Sequence, residues 1–236
     1  MPISQTCKSI LSVIAIVLFS SAAGYSSDQP AEHMRSGEHQ TDQGYHHSFG
    51  QAGLWAKKFD DPSRDAWQKP EQILDALNLG PTARVADLGA GTGYFSVRIA
   101  KRLPEGKVFA IDIEPEMLRY LSERARREHL STVIPVVANE ETPNIPEPVD
   151  LILVVDTYHH IDDRIAYFNR LRKSLNAGGR LAIVDFKMES PEGPPPEHRV
   201  SAEKVTEELK AAGYSLVAAQ SFLPRQYFLV FTAPPS

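Results

Sequence analysis

Cysteine is almost absent: the one thiol among 236 residues is Cys7. No disulfide framework and no cysteine-spaced zinc site can be built from it. Basic residues do not dominate either. Lys and Arg number 25 against 30 Asp and Glu, a net charge of −5, whereas a general nucleic-acid binder presents a basic face. No internal repeat is visible. The longest apolar stretch, Ile10 to Phe19, falls short of the ~20 residues that a comfortable membrane span needs.

What the chain does have begins with its first residues. Lys8 supplies a positive charge, Ile10 to Phe19 a short apolar segment, and Ser21-Ala22-Ala23 small residues ahead of Gly24. That order reads as a secretory signal peptide over 1–23, and predicts an exported, periplasmic protein. An uncleaved N-terminal anchor is the alternative, and it also leaves the domain outside. Residues 24–50 are polar and read as a flexible leader. Its histidines (His33, His39, His46, His47) are loose tail residues, and no metal is expected. Hydrophobic residues make up 42% of the chain, enough for one sizeable domain over 51–236, with N-terminal lid helices over 51–80 and a core over 81–236.

Within that domain strand and helix patterns alternate. Strands are predicted near 83–88, 107–112, 132–138, 149–156 and 179–186, and helices over 93–102, 115–128, 163–175 and 201–212. An amphipathic helix from Trp67 to Leu79 precedes them, and a strand pair, 214–220 and 226–232, follows. Such alternation means an α/β fold, a doubly wound parallel sheet with helices on both faces.

The run Arg84 to Arg98 carries the most information. An apolar strand leads through Asp87 into glycines at 89, 91 and 93, and a helix follows, with Thr92 placed to cap it. Glycine reaches φ > 0 and lets the backbone lie against a ligand. The dinucleotide fingerprint needs a third glycine where this chain has Tyr94. Asp87 would repel a pyrophosphate and suits an ammonium group. A second strand ends in Asp112, about 20 residues beyond the loop, where doubly wound folds place a ribose-binding carboxylate.

The string Asp87-Leu-Gly-Ala-Gly-Thr-Gly93 resembles the first motif of class I S-adenosylmethionine (SAM)-dependent methyltransferases, and Ile113-Glu-Pro-Glu-Met-Leu118 is similar to the segment that follows their second strand. The resemblance covers residues 65–232. It implies a seven-stranded, mostly parallel Rossmann-like sheet with an antiparallel C-terminal pair. SAM is the implied cofactor and S-adenosylhomocysteine (SAH) the product. The loop residues Asp87, Gly89, Ala90, Gly91 and Gly93 would hold its methionine and ribose portion. Asp112 would take the ribose hydroxyls, with Glu114 a second candidate, and Ile113 would pack on the adenine. Asn139 stands where many members have an Asp, and its amide oxygen would accept from the adenine amino group. Glu140 and Asp156 complete the implied set.

The fourth strand delivers Asp156-Thr-Tyr-His-His160 to the edge that faces the methyl group in related enzymes. His159 or His160 is a candidate base, since imidazole titrates near neutrality; the alternative is that one of them packs or caps the helix near Asp162. Asp156 is a candidate for orienting the acceptor or taking its proton. For the substrate, Tyr158 would line the pocket, Trp67 would form a flat wall, and Arg64 or Lys69 would meet an anion. Lys187 and the loop Gly193–Val200, with Glu197, His198 and Arg199, are further candidates; the bland reading of that loop is a surface turn with Ser201 capping the next helix. With its signal peptide, the pattern resembles a group of exported bacterial methyltransferases. The expected activity is methyl transfer to a small molecule by in-line displacement, with no nucleic-acid partner. A non-catalytic SAM- or nucleoside-binding protein of the cell envelope is the alternative. An NAD-dependent oxidoreductase is disfavoured by Tyr94 and Asp87.

Overall fold

A computed structural model describes residues 52–234. The expected signal peptide and leader lie outside the described residues.

Seven strands form one sheet: β1 (Arg84–Leu88), β2 (Lys107–Asp112), β3 (Val133–Val137), β4 (Val149–Val155), β5 (Leu175–Phe186), β6 (Ser215–Gln220) and β7 (Gln226–Thr232). Their spatial order is β3-β2-β1-β4-β5-β7-β6. Strands β1 to β5 pair in parallel, and β7 runs antiparallel between β5 and β6. The central strand β4, V-D-L-I-L-V-V, is covered on both faces, and Leu151 to Val154 have no exposure. A near-continuous apolar run is what a parallel strand between two helical layers requires. Pro135 is tolerated because β3 is an edge strand with one neighbour.

Seven helices complete the described fold: α1 (Ala52–Phe59), α2 (Arg64–Gln68), α3 (Pro70–Leu77), α4 (Ser96–Arg102), α5 (Pro115–Arg127), α6 (Arg164–Leu171) and α7 (Ala202–Ala211). The start of α5 follows its sequence directly. Pro115 occupies the first turn with Glu116 beside it, and Arg124, Arg126 and Arg127 sit at the negative end of the dipole. Ser201 caps α7, its side chain accepting from the Lys204 amide at 3.2 Å.

Three local expectations are corrected. The helix expected over Trp67–Leu79 is two helices, broken at Lys69, which takes φ 48° and ψ 55°. The cause is Pro70, whose ring disfavours the helical conformation in the residue before it. Thr92 does not cap α4; its hydroxyl donates to Asp60 instead, at 3.1 Å. Strand β5 begins at Leu175, not 179, across an irregular register opposite Val149 and Leu151.

The chain winds outward from β1 through β2 to β3, then returns to β4 and continues to β5. The direction reverses between β1 and β4, so a crevice opens beyond their carboxyl ends. No described helix is long and apolar enough to cross a membrane.

Candidate functional site

The loop after β1 lies hard against the loop after β4. Gly89 adopts φ +77°, and a Cβ there would fall 2.2 Å from the Thr157 hydroxyl oxygen. Gly93, at φ +87°, approaches Leu121 of α5 just as closely. These glycines are demanded by conformation and by space together. The amides of Gly89 and Ala90 both donate to the Ile111 carbonyl at 2.9 Å, fastening the loop to β2.

Carboxylates mark the ends of four neighbouring strands. Asp87 is buried in β1 and accepts from the Ser96 hydroxyl at 2.6 Å. Burial raises its pKa to about 6, with the Ser96 hydrogen bond opposing and the charge of Asp112 adding to the rise. Asp112 accepts from the Gly91 amide at 2.7 Å with one oxygen and from the Glu114 amide at 3.0 Å with the other. Burial lifts its pKa as well, against those two hydrogen bonds. Beside it, Ile113 is 50% exposed, and Val137, the register partner of Asp112, is 55% exposed. Two large apolar side chains therefore stay uncovered next to a carboxylate that still has lone pairs to offer.

Asp156 follows β4 in the left-handed region, at φ 53°. It is a junction: Arg64 Nη2 donates to it at 2.8 Å and Gln68 Nε2 at 3.0 Å, and Gln226 donates to its other oxygen. Three elements thus converge on one carboxylate, which is not open to take an acceptor's proton as the sequence had suggested. Burial raises its pKa, and the Arg64 charge opposes that rise.

Asp185, near the end of β5, is the fourth acid. Both its oxygens stand 2.9 Å from His159 Nδ1, and one also accepts from the His159 amide at 3.3 Å. A carboxylate only accepts, so Nδ1 carries the proton and Nε2 keeps its lone pair. Burial depresses the imidazole, but the charge and hydrogen bond of Asp185 outweigh it and the net shift is upward from 6.5. The rings of His159 and His160 lie 4.1 Å apart.

The segment before β1 straps across this edge. Asp60 accepts from Thr92 and, at 2.8 Å, from Arg124. Asp65 receives the Tyr94 hydroxyl and, at 3.0 Å, Arg98. The Phe59 ring comes within 3.8 Å of where a Gly91 Cβ would stand.

Other expected site residues sit elsewhere. Tyr158 is fully buried, stacked on Phe168, with its hydroxyl on Glu208 at 2.8 Å; it belongs to the core and lines no pocket. Arg199 holds its own loop, donating to the carbonyls of Lys187, Met188, Ser190, Glu192 and Pro194 within 3.1 Å. A guanidinium so engaged is a loop fastener, not an anion clamp. Lys69 and Lys187 donate at 2.9 Å to the carbonyls of Phe222 and Leu223. The Asn139 amide oxygen accepts from the amides of Glu141 and Thr142, which consumes it in its own turn; only the NH2 group remains for a ligand, a donor where an acceptor was expected. Glu140 is exposed in that turn. His198 lies half-buried in a short helical turn, Pro196–His198. Trp67 is half-buried 6.0 Å from the Phe186 ring.

Sequence reasoning passed over Asp185, Gln68, Gln226, Phe186 and Val137. A usable signal existed for Asp185: an acid near a strand's carboxyl end, the same position as in β1 and β2. Gln68 and Gln226 carried none. No group of three or more His, Cys, Asp or Glu suited to a metal ion occurs among the described residues.

The known proteins this chain is similar to agree with that geometry. The family described as a methyltransferase domain matches residues 85–179. A SAM-dependent methyltransferase from Aquifex aeolicus, known from its crystal structure, is 30% identical with a TM-score of 0.70, covering 75% of this chain and 96% of its own. A malonyl-[acyl-carrier protein] O-methyltransferase from Acetivibrio thermocellus is 29% identical over 133 residues, 56% of this chain and 46% of its own. Phosphoethanolamine N-methyltransferase 1 of Arabidopsis thaliana is 30% identical over 153 residues, 64% of this chain and 29% of its own. The chain thus spans less than half the length of these two curated relatives. With the strand order, the glycine loop and the near full-length match to the Aquifex enzyme, the chain belongs to the class I SAM-dependent methyltransferases.

Proposed function

We propose that this protein transfers a methyl group from SAM to a small-molecule acceptor. The observation that carries the reading is the Asp112 carboxylate, tied to the Gly91 amide and flanked by uncovered Ile113. A ribose diol suits the free lone pairs of such a carboxylate, and an adenine ring suits the apolar surface of Ile113 and Val137. Gly89, Ala90, Gly91 and Gly93 bring the main chain close to the methionine portion. Asp87 supplies negative potential for its ammonium group. Asn139 and Glu140 border the adenine, Asn139 through its NH2 group.

Bound SAM would supply a methyl group already activated on a sulfonium, so the protein's part is alignment and proton removal. His159, with Nδ1 committed to Asp185, offers Nε2 as the base. His160 packs against it and shapes the same edge. The strap of α1 and α2 holds Trp67 over the site and keeps water from it.

Calorimetric titration with SAH and with NAD tests the cofactor. SAH is expected to bind at micromolar affinity or better, and Asp112→Ala to weaken it at least tenfold. Binding of NAD without SAH would overturn the reading. We also propose that residues 1–23 direct export. A fusion of residues 1–25 to a reporter active only outside the cytosol is expected to score positive, and a cytosolic reporter signal would reject it.

A further inference from the structure

The proposed methyl transfer leaves the acceptor's chemistry open, and the edge formed by β4, β5 and α2 narrows it. Four rings make one connected run: His160 lies 4.1 Å from His159, His159 6.5 Å from Phe186, and Phe186 6.0 Å from Trp67. The run ends on a cation, the Arg225 guanidinium 5.5 Å from the Trp67 ring. Lys69 and Lys187 stand on the same side, each spending a proton on a main-chain carbonyl of 222 or 223. Arg225 pairs with Glu192 at 2.8 Å and Arg64 with Asp156. No such carboxylate is found on Lys69 or Lys187, so the rim carries a positive excess.

Resting on the SAM reading above, we propose that the acceptor is a phenol: a hydroxyl on an aromatic ring, seated against Trp67 and Phe186 and deprotonated by His159, with Asp185 as its positioning residue.

Three classes of acceptor fit less well. A carboxylate is already ionised at neutral pH and gains nothing from a base. An ammonium group would approach a rim of like charge. An aliphatic hydroxyl is nearly as weak an acid as water, at about 15.7, whereas a phenol lies near ~10, within reach of an imidazole whose proton affinity Asp185 has raised. The rings add a face on which a flat acceptor stacks.

The step balances without an added co-reactant. A lone pair of the phenol oxygen forms the bond to the methyl carbon as the carbon–sulfur bond breaks. That bond's electron pair stays on sulfur, which becomes a neutral thioether. The phenol proton passes to His159 Nε2, and the resulting imidazolium is held by Asp185 until water removes the proton. The groups that set this titration are Asp185 from β5, Asp156 after β4 and Arg164 from α6. The two acids favour the imidazolium and Arg164 opposes it.

The full chain, saturated with SAH, can be tested with 4-nitrophenol, whose absorbance reports its own ionisation. Bound probe is expected to show the phenolate band at a pH where free probe is mostly protonated. His159→Asn should lose that band while keeping SAH affinity and thermal midpoint. Transfer of labelled methyl from SAM is then compared across phenol, benzoate, benzylamine and cyclohexanol. Phenol should lead by tenfold or more. His159→Asn should cost about 10²–10⁴ in rate. Asp185→Asn should move the pH limb toward acid, and Trp67→Leu should raise KM more than it lowers kcat. Preference for benzoate or benzylamine, or unchanged phenol turnover in His159→Asn, overturns the proposal. SAH binding is measured separately, so loss of the phenol proposal and loss of the SAM reading are told apart.

Discussion

Arg64 Nη2 stands 2.8 Å from Asp156 Oδ2, joining the helix before the sheet to the residue that ends β4. The pair does more than link two charges. Gln68, Gln226 and the Phe59 carbonyl close around it, and Asp156 keeps a left-handed backbone inside this ring of partners. Such strain persists only where surroundings over-determine it.

Replacing Arg64 with Met should therefore loosen the strap first. The remaining carboxylate would keep two amide donors and lose its cation. The expected cost is about 1–3 kcal/mol, below that of a fully buried pair because a fifth of the Asp156 side chain meets solvent. Hydrogen exchange should accelerate in residues 52–68 while β1, β4 and β5 stay protected. Uniform loss of protection across the sheet would contradict a local latch.

Asp87 predicts a pH dependence of opposite sign for stability and for ligand. Its carboxyl rises from 3.8 to about 6 in the fold, mainly through burial. The folded state holds this proton to higher pH than the unfolded state does, so stability from Asp87 is present below about pH 4 and lost as pH climbs through 6. A bound ammonium prefers the ionised form, which grows about tenfold between pH 5 and pH 7 for a group of that pKa. SAH affinity should rise by about that factor over this window. In Asp87→Asn the rise should shrink, and the mutant should melt at a higher temperature relative to wild type at pH 7 than at pH 4.

The cofactor side of the site was legible because backbone need drives it. Gly89 and Gly93 require positive φ, and Asp112 stands at a strand end whose offset from the loop is set by one turn of β-α-β. The sheet was legible for a similar reason: the apolar run of β4 and the short alternating elements leave few topologies. What escaped was side-chain partnership across long separations. Tyr158 and His159 are adjacent, yet one turns into the core toward Glu208 and the other toward Asp185, and no local pattern distinguishes them. Asp156 resembled a free acid because Arg64 and Gln226 lie far away in sequence. Arg199 resembled an anion clamp because its partners are main-chain carbonyls, invisible to residue type.

Arg199→Ala tests that last point. Its nitrogens serve five carbonyls in residues 187–194, and Gly193 lets the same loop lie on the Phe186 ring, where a Cβ would come within 2.5 Å. Removing the guanidinium should expose residues 187–199 to limited proteolysis and leave SAH affinity within twofold of wild type, since none of the residues assigned to SAM belongs to this loop. A tenfold loss of SAH affinity would instead place Arg199 in the cofactor site.

Gly89→Ala should be among the most damaging single-methyl additions in the domain, for two separable reasons. A non-glycine residue at φ +77° costs about 1–2 kcal/mol wherever it occurs. The added Cβ also falls inside the Thr157 side chain, 2.2 Å from Oγ1 and 2.6 Å from Cγ2, an overlap worth about 1–3 kcal/mol more. Thr157→Gly removes only the second cost. In a double-mutant cycle Gly89→Ala should therefore destabilise wild type by about 2–5 kcal/mol, and the Thr157→Gly background by the backbone cost alone. A coupling near zero in chemical denaturation would mean that the loops after β1 and β4 do not touch as tightly as these distances state, and the crevice between them would be wider than the fold requires.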